Sequence, residues 1–190
     1  MNLKLFLPGL LAISALLLLS LACNLPNRTA QIPSETIPVT TQAVESLQED
    51  IHQAGEDIQT DGQATLVIDE AELTSLVAFE LQNQETPVLQ EPQIYLREGQ
   101  LILLGKVKQD NALVSIELAL KVSANSDGRL DYQIVSAKIG ILPLPEALYE
   151  KYSEQINTVF ASKINPQVDA IFIDKITIAD GVMTIQGHTR

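Results

Sequence analysis

The sequence predicts an α+β domain in which a curved antiparallel sheet of about six or seven strands packs on two or three helices. Three observations lead there. Apolar residues recur three and four apart before Pro92, and they alternate with polar residues for most of the chain beyond it. Short acid-Gly and Asn/Asp-containing turns separate the alternating runs. A further run with helical spacing sits between the last two groups of strands.

The first twenty-three residues stand apart from this body. Lys4 is followed by an apolar run from Leu5 to Ala22, and the run ends at Cys23, the sole cysteine. A charged start, an apolar middle and a small residue before a cut site form an export signal. Leu19-Ser20-Leu21-Ala22-Cys23 resembles the lipobox of bacterial lipoproteins, although Ser20 and Leu21 reverse the usual order. That resemblance implies a signal peptide at 1–22 and a diacylglyceryl group on Cys23, with palmitate-type chains holding the mature protein to a membrane. Two other readings remain open: a permanent spanning helix, weakened by Pro8 and Gly9, and an ordinary cleaved signal that leaves a free thiol. The expected location is the extracytoplasmic side of the cell membrane, or the periplasm.

Residues 23–42 carry Pro26, Pro33 and Pro38 among Asn, Thr and Ser, and read as a flexible linker. At about 3.1 Å per residue, Asn24 to Gln42 would reach on the order of 60 Å. Residues 43–62 follow as an amphipathic acidic helix, its periodicity beginning near Thr41. Val44, Leu47, Ile51, Ala54 and Ile58 form one stripe, opposed by Glu45, Gln48, Glu49, Gln53 and Glu56. Gly55 weakens its middle.

Residues 63–190 form the main domain. A strand at Ala64–Ile68 leads to Asp69, an N-cap residue with Glu72 three positions on, the signature of a capping box. The helix it starts runs to about Gln82 and is expected to bury Leu73, Leu76, Val77 and Leu81. Gln93–Leu96 and Leu101–Lys108 form a hairpin about Glu98-Gly99. Ala112, Val114, Ile116, Leu118, Leu120 and Val122 share one face of the next strand. In Arg129–Ile139 the apolar phase shifts between Ile134 and Val135, so a bulge or a change of face is expected there. Pro145 opens a helix to about Ile164 with Leu148, Tyr149, Tyr152, Ile156, Val159 and Phe160 on one side. Strands at Val168–Ile178 and Val182–Gln186 close the chain about Asp180-Gly181. This last hairpin matches the first at an offset of 82 residues, Ile94 to Gly99 aligning with Ile176 to Gly181. Duplication and chance recurrence of a common turn both account for that match.

Charge and composition narrow the function. The formal net charge of −12 disfavours nucleic acid and anionic lipid as electrostatic partners. Fourteen acids against three bases fall in residues 1–100, and the rest of the chain is nearly neutral. His52 and His188 are the only histidines, and no nucleophile elbow, zincin helix or phosphate-cradling glycine loop occurs. No catalytic set, metal ligands or cofactor are therefore assigned; Asp69, Glu70 and Glu72 are helix-start residues before they are ligands. What stands out is apolar surplus. Leu101–Leu104 and Ala170–Ile173 are apolar on both faces of their strands, which either the helices or a bound apolar ligand must cover.

The order strand–helix–meander–helix–hairpin, the Leu142-Pro143-Leu144-Pro145 lead into the second helix and the Asp180-Gly181 turn resemble bacterial envelope proteins of the YpmS-like kind. More distantly, they resemble the lipomannan elongation factor-like kind. The likeness spans about Ala64 to Gly187 and implies kinship with tubular lipid-binding (TULIP-like) domains, a half-barrel fold, and non-catalytic binding of lipid or lipid-linked glycan. The candidate groove comprises Leu101, Leu103, Ile116, Leu118, Leu142, Leu144, Tyr149, Tyr152 and Phe160. The rival function is an envelope scaffold that docks a partner protein through helix 43–60. It expects a filled core and an apolar stripe from Val44 to Ile58 left free.

Overall fold

Helix α1 (Thr41–Asp61) opens the body in the computed structural model, which describes residues 35–83, 89–109, 112–150, 153–154, 157, 171–179 and 181–190. Thr40 starts the helix because its hydroxyl accepts the Ala43 N–H at 3.2 Å. The Gly62 N–H closes it on the Ile58 carbonyl. Leu47, Ala54 and Ile58 are buried and Val44 and Ile51 half-buried, so the predicted stripe faces the protein. The helix begins two residues before the boundary at 43, and residues 35–40 belong with the folded body.

Strand β1 (Gln63–Asp69) runs into α2 (Glu70–Gln82) through the predicted capping box: Asp69 accepts the Glu72 N–H at 2.8 Å, and the Glu72 carboxylate accepts the Asp69 N–H at 2.9 Å. The buried face of α2 differs from expectation. Thr74, Ser75 and Ala78 are its fully buried small residues, while Leu73, Leu76 and Val77 lie half-buried against the core. The cause is the position of α2 along the open edge of β2 (Gln90–Arg97), where short polar side chains accept strand N–H groups. Thr74 Oγ1 accepts the Ile94 N–H at 2.9 Å, and Glu70 Oε1 accepts the Leu96 N–H at 2.6 Å. One helical turn further, Ala78 corresponds to Pro92, which has no N–H to satisfy.

Strands β2, β3 (Gln100–Gln109), β4 (Ala112–Ala124), β5 (Leu130–Ile139) and β6 (Leu142–Pro143) form one antiparallel sheet in that order. Strands β7 (Ile171–Ala179) and β8 (Val182–Thr189) join β1 in a second sheet, in the order β1-β8-β7. The fold is α+β with antiparallel strands, as expected, and the strands divide into two open sheets instead of one. With α2 seated on the β2 edge, β1 pairs instead with β8, from Gln63↔His188 to Asp69↔Val182. The sheets meet through Gly181 N–H to Leu96 O and Ile173 N–H to Gly128 O, each 2.9 Å. Their shared core contains Ile94, Leu96, Leu120 and Ile134 from one sheet and Ile68, Ile178 and Met183 from the other, with Leu47 of α1.

The phase shift in β5 is a bulge. Ala119 pairs with Ser136 but Leu120 pairs with Ile134, so Val135 is the extra residue and turns outward. The bulge lets Ile134 and Ala137, three apart, both face the core. After a 3₁₀ turn at Glu146–Leu148, residues 149–150, 153–154 and 157 are helical; the rest of the helix expected to Ile164 lies outside the described residues. This helix treats β5 as α2 treats β2. Ser153 Oγ accepts the Ile134 N–H at 2.9 Å, Asn157 Oδ1 accepts the Tyr132 N–H at 2.8 Å, and the Tyr149 hydroxyl accepts the Ala137 N–H at 3.3 Å.

The two matched hairpins also agree in register. Ile94↔Leu103 and Leu96↔Leu101 correspond to Ile176↔Ile185 and Ile178↔Met183. Both hairpins carry a bulge at the same place. Glu91 and Pro92 oppose Gly105, and Ile173 and Asp174 oppose Gly187, the two glycines being 82 residues apart. A Cβ on Gly187 would stand 2.7 Å from the Phe172 carbonyl oxygen, so that bulge requires glycine opposite it, and one on Gly105 would displace the Leu89 side chain.

Candidate functional site

The seven described members of the candidate groove come together around Ala137. Leu103 and Leu118 are cross-strand partners, and Leu118 pairs in turn with Ala137. The Ala137 carbonyl accepts the Leu144 N–H at 2.8 Å, and its N–H goes to the Tyr149 hydroxyl. Leu101 lies one row nearer the core, opposite Leu120; Ile116 lies one row further out, opposite Ile139, which pairs with Leu142. Tyr152 and Phe160 fall outside the described residues.

Burial is graded along this face. Leu101 is 8% exposed, and Leu103, Ile116, Leu118, Leu144 and Tyr149 are half-buried. Ile139 is 41%, Leu142 68% and Ile141 95% exposed. One end of the apolar row is therefore core, and the other reaches solvent at the tight β5–β6 turn. On the opposite face of the same sheet Tyr95, Ile102 and Ala119 are also buried, so the apolar surplus read from Leu101–Leu104 is covered on both faces at mid-sheet.

A concavity away from this row was not foreseen. About 570 Å³ lies between residues 36–39, the end of α2 at Ala78, Leu81 and Gln82, and the start of β2 from Leu89 to Gln93. That volume falls within the range of small-ligand sites, about 300–1,000 Å³. None of the nine groove candidates lines it. Its outer wall is the linker end, held as a strap. The Gln93 side-chain amide accepts the Ile37 N–H at 2.6 Å and donates to the Ile37 carbonyl at 3.2 Å. The Tyr95 hydroxyl donates to the Glu35 carbonyl at 2.8 Å, and Ser75 Oγ accepts the Thr40 N–H at 3.1 Å. The sequence signal for this was Ile37-Pro38-Val39, an apolar triplet just ahead of the helix.

Several charged groups near these surfaces are paired. Glu70 meets the Arg97 guanidinium as well as the Leu96 N–H. Lys106 meets Glu91 at 2.6 Å, and Lys138 meets Glu117 at 2.8 Å. Asp69 and Glu72 are committed to the capping box. His52 sits exposed, 3.7 Å from Glu56, and His188 sits 2.7 Å from Asp174 at the β7 bulge with its ring 5.1 Å from that of Phe172. Burial pushes the Tyr132 phenol up to about 12. It raises that of Tyr95 as well, with the Glu70 charge adding to the effect. Among the described residues no group of three or more His, Cys, Asp or Glu could hold a metal ion, and no helix is long and apolar enough to cross a membrane.

For the scaffold reading, the α1 stripe is not free, since Leu47, Ala54 and Ile58 face the body. Only the acidic side, with Glu45, Glu49 and Glu56, faces outward. No family model matches the chain, and no curated protein matches it.

Proposed function

We propose that this protein is a membrane-anchored extracytoplasmic lipoprotein, acylated at Cys23, that binds an apolar ligand, lipid or lipid-linked glycan, without catalysis. The observation that supports this reading is the graded apolar row, core at Leu101 and solvent-exposed at Leu142. An aliphatic row that runs from the core out to solvent is a surface on which an apolar chain can be buried. Polar groups are few along it. The Tyr149 hydroxyl, which accepts the Ala137 N–H at 3.3 Å, lies beside the row and keeps its own O–H to donate to a small polar head.

Uptake of a fluorescent fatty acid by residues 31–190 tests the reading. Ile116→Asn, on the apolar row, should weaken uptake by roughly tenfold or more, taking the loss of one buried aliphatic side chain at about 1.5–3 kcal/mol. Leu113→Asn, exposed on the other face of the same strand, should leave it unchanged. Equal uptake by both variants, each shown to be folded, would remove the row from the account.

A further inference from the structure

Ile141 is the most exposed large hydrophobic residue described, and it stands at the point of a short hairpin. The run Ile139-Gly140-Ile141-Leu142-Pro143 carries no charge in a chain of net charge −12. Its backbone is fixed rather than loose. The Gly140 N–H donates to the Ser115 carbonyl at 2.7 Å, Ile139 pairs with Leu142, and the Leu144 N–H returns to Ala137. Three aliphatic side chains are thus held out in water by a turn already ordered, so burying them costs little further conformational entropy.

We propose that the β5–β6 turn is a membrane-contacting tip, with Ile139, Ile141 and Leu142 entering the headgroup–acyl boundary of a phospholipid bilayer. The proposal rests on the reading that Cys23 is acylated in that bilayer. Chain length permits it. Twelve residue steps separate Cys23 from Glu35, a reach of about 37 Å at about 3.1 Å per residue. The Glu35 carbonyl is held by Tyr95, whose register row continues through Ile102 to Ala119. Ser115, which binds the tip, is four residues along the strand from Ala119, about 13 Å at about 3.3 Å per residue. The anchor therefore reaches past the tip with length to spare. The opposite end of the sheet is within similar reach, but its turn is Asn125-Ser126-Asp127-Gly128, with nothing apolar to insert. A net negative body cannot approach anionic lipid by charge, so apolar insertion is the contact left to it. The acyl chains hold the protein at the bilayer, and the apolar wedge would fix the orientation of the domain on the surface, which acyl chains alone leave free to tumble.

The test uses the full-length acylated protein reconstituted in phosphatidylcholine–phosphatidylglycerol vesicles. A solvatochromic dye is placed at Ile141→Cys, or at Ser126→Cys as the opposite-end control, and the mass of the N-terminal peptide reports acylation independently. The expected result is a blue-shifted dye at 141 that loses at least half its emission to nitroxide-labelled lipid, while the dye at 126 remains water-like. A water-like dye at 141 on acylated, vesicle-bound protein overturns the proposal. So does a blue shift at 141 that grows with protein concentration without vesicles, which would assign the tip to a second copy of the chain. If the N-terminal peptide carries no acyl group, the anchor reading fails by itself. The same protein with Cys23→Ser, which leaves the dye no second thiol, then decides the tip alone when titrated with vesicles: a lipid-dependent shift at 141 sustains it, and no shift overturns it.

Discussion

Replacing Thr74 with Val would test the way the helices close the edges of the five-stranded sheet. Thr74 is 0% exposed, and its Oγ1 accepts the Ile94 N–H at 2.9 Å, while Ile94 itself is buried. Valine keeps the volume and removes the acceptor, leaving a buried donor unsatisfied at a cost of about 1–3 kcal/mol. The added methyl returns up to about 0.8 kcal/mol. With the full offset a net loss of about 0.2–2 kcal/mol is expected, equivalent to up to about 8 °C in Tm for a domain of this size. Urea unfolding should show a lower midpoint with an unchanged slope. Amide exchange supplies the sharper reading: the Ile94 amide should exchange faster relative to that of Tyr95, which faces Ile102 within the sheet. Thr74→Ser, which keeps the acceptor, should preserve the ratio. An Ile94 amide as protected in the Val variant as in the parent would refute the edge-capping argument, whatever the midpoint does.

Four further outcomes follow from the same structure. Gly55→Ala, inside α1 with nothing within 4 Å of a new Cβ, should stabilise the fold by about 0.5–1 kcal/mol in urea unfolding, whereas Gly187→Ala should destabilise it because the Phe172 carbonyl is in the way. Leu101→Ala should cost about 2–5 kcal/mol as a core truncation, and Leu142→Ala should change stability by less than about 0.5 kcal/mol, both read from chemical denaturation. Tyr132, whose folded pKa is raised to about 12 from 10.0, contributes stability that is fully present below about pH 10 and lost as pH rises toward 12; phenolate absorbance should show Tyr95 and Tyr132 titrating late, and Tyr132→Phe should remove one of the two and flatten that part of the stability profile. Gln93→Ala should release the strap, seen as faster proteolysis near Ile37 in an otherwise folded domain.

Local features of the sequence carried much of this architecture. The Asp69–Glu72 capping box, the two-residue turn at Glu98-Gly99 (φ 51° and 77°) and the β5 bulge all depend on neighbours within a few residues, so residue type and phase reveal them. The pairing of β1 with β8 does not: nothing in the pattern of Ala64–Ile68 distinguishes a partner at 183–187 from one at 94–104. The burial of Thr74 and Ser75 ahead of Leu73 and Leu76 was hidden for a related reason. Hydrophobic periodicity ranks side chains by apolarity, whereas a helix laid along a sheet edge turns its hydrogen-bonding residues inward. The strap was missed because Gln93 and Ile37 are 56 residues apart and a proline-rich stretch reads as linker until its partner is known. The candidate groove was legible as an apolar row, but the gradient along it came from the β5–β6 turn, whose exposure sequence alone does not set.

The strap also fixes how the central claim should be tested. A fragment beginning at residue 43 would lose the Thr40 cap and the contacts to Gln93, Tyr95 and Ser75, so the protein to measure is Gln31–Arg190, which forms one unit. Native mass spectrometry of that fragment, purified without detergent, should reveal a co-purifying mass of a lipid, released by organic solvent and diminished in Ile116→Asn. A clean unliganded mass, together with no uptake of a fluorescent fatty acid, would contradict apolar-ligand binding as the function of this protein.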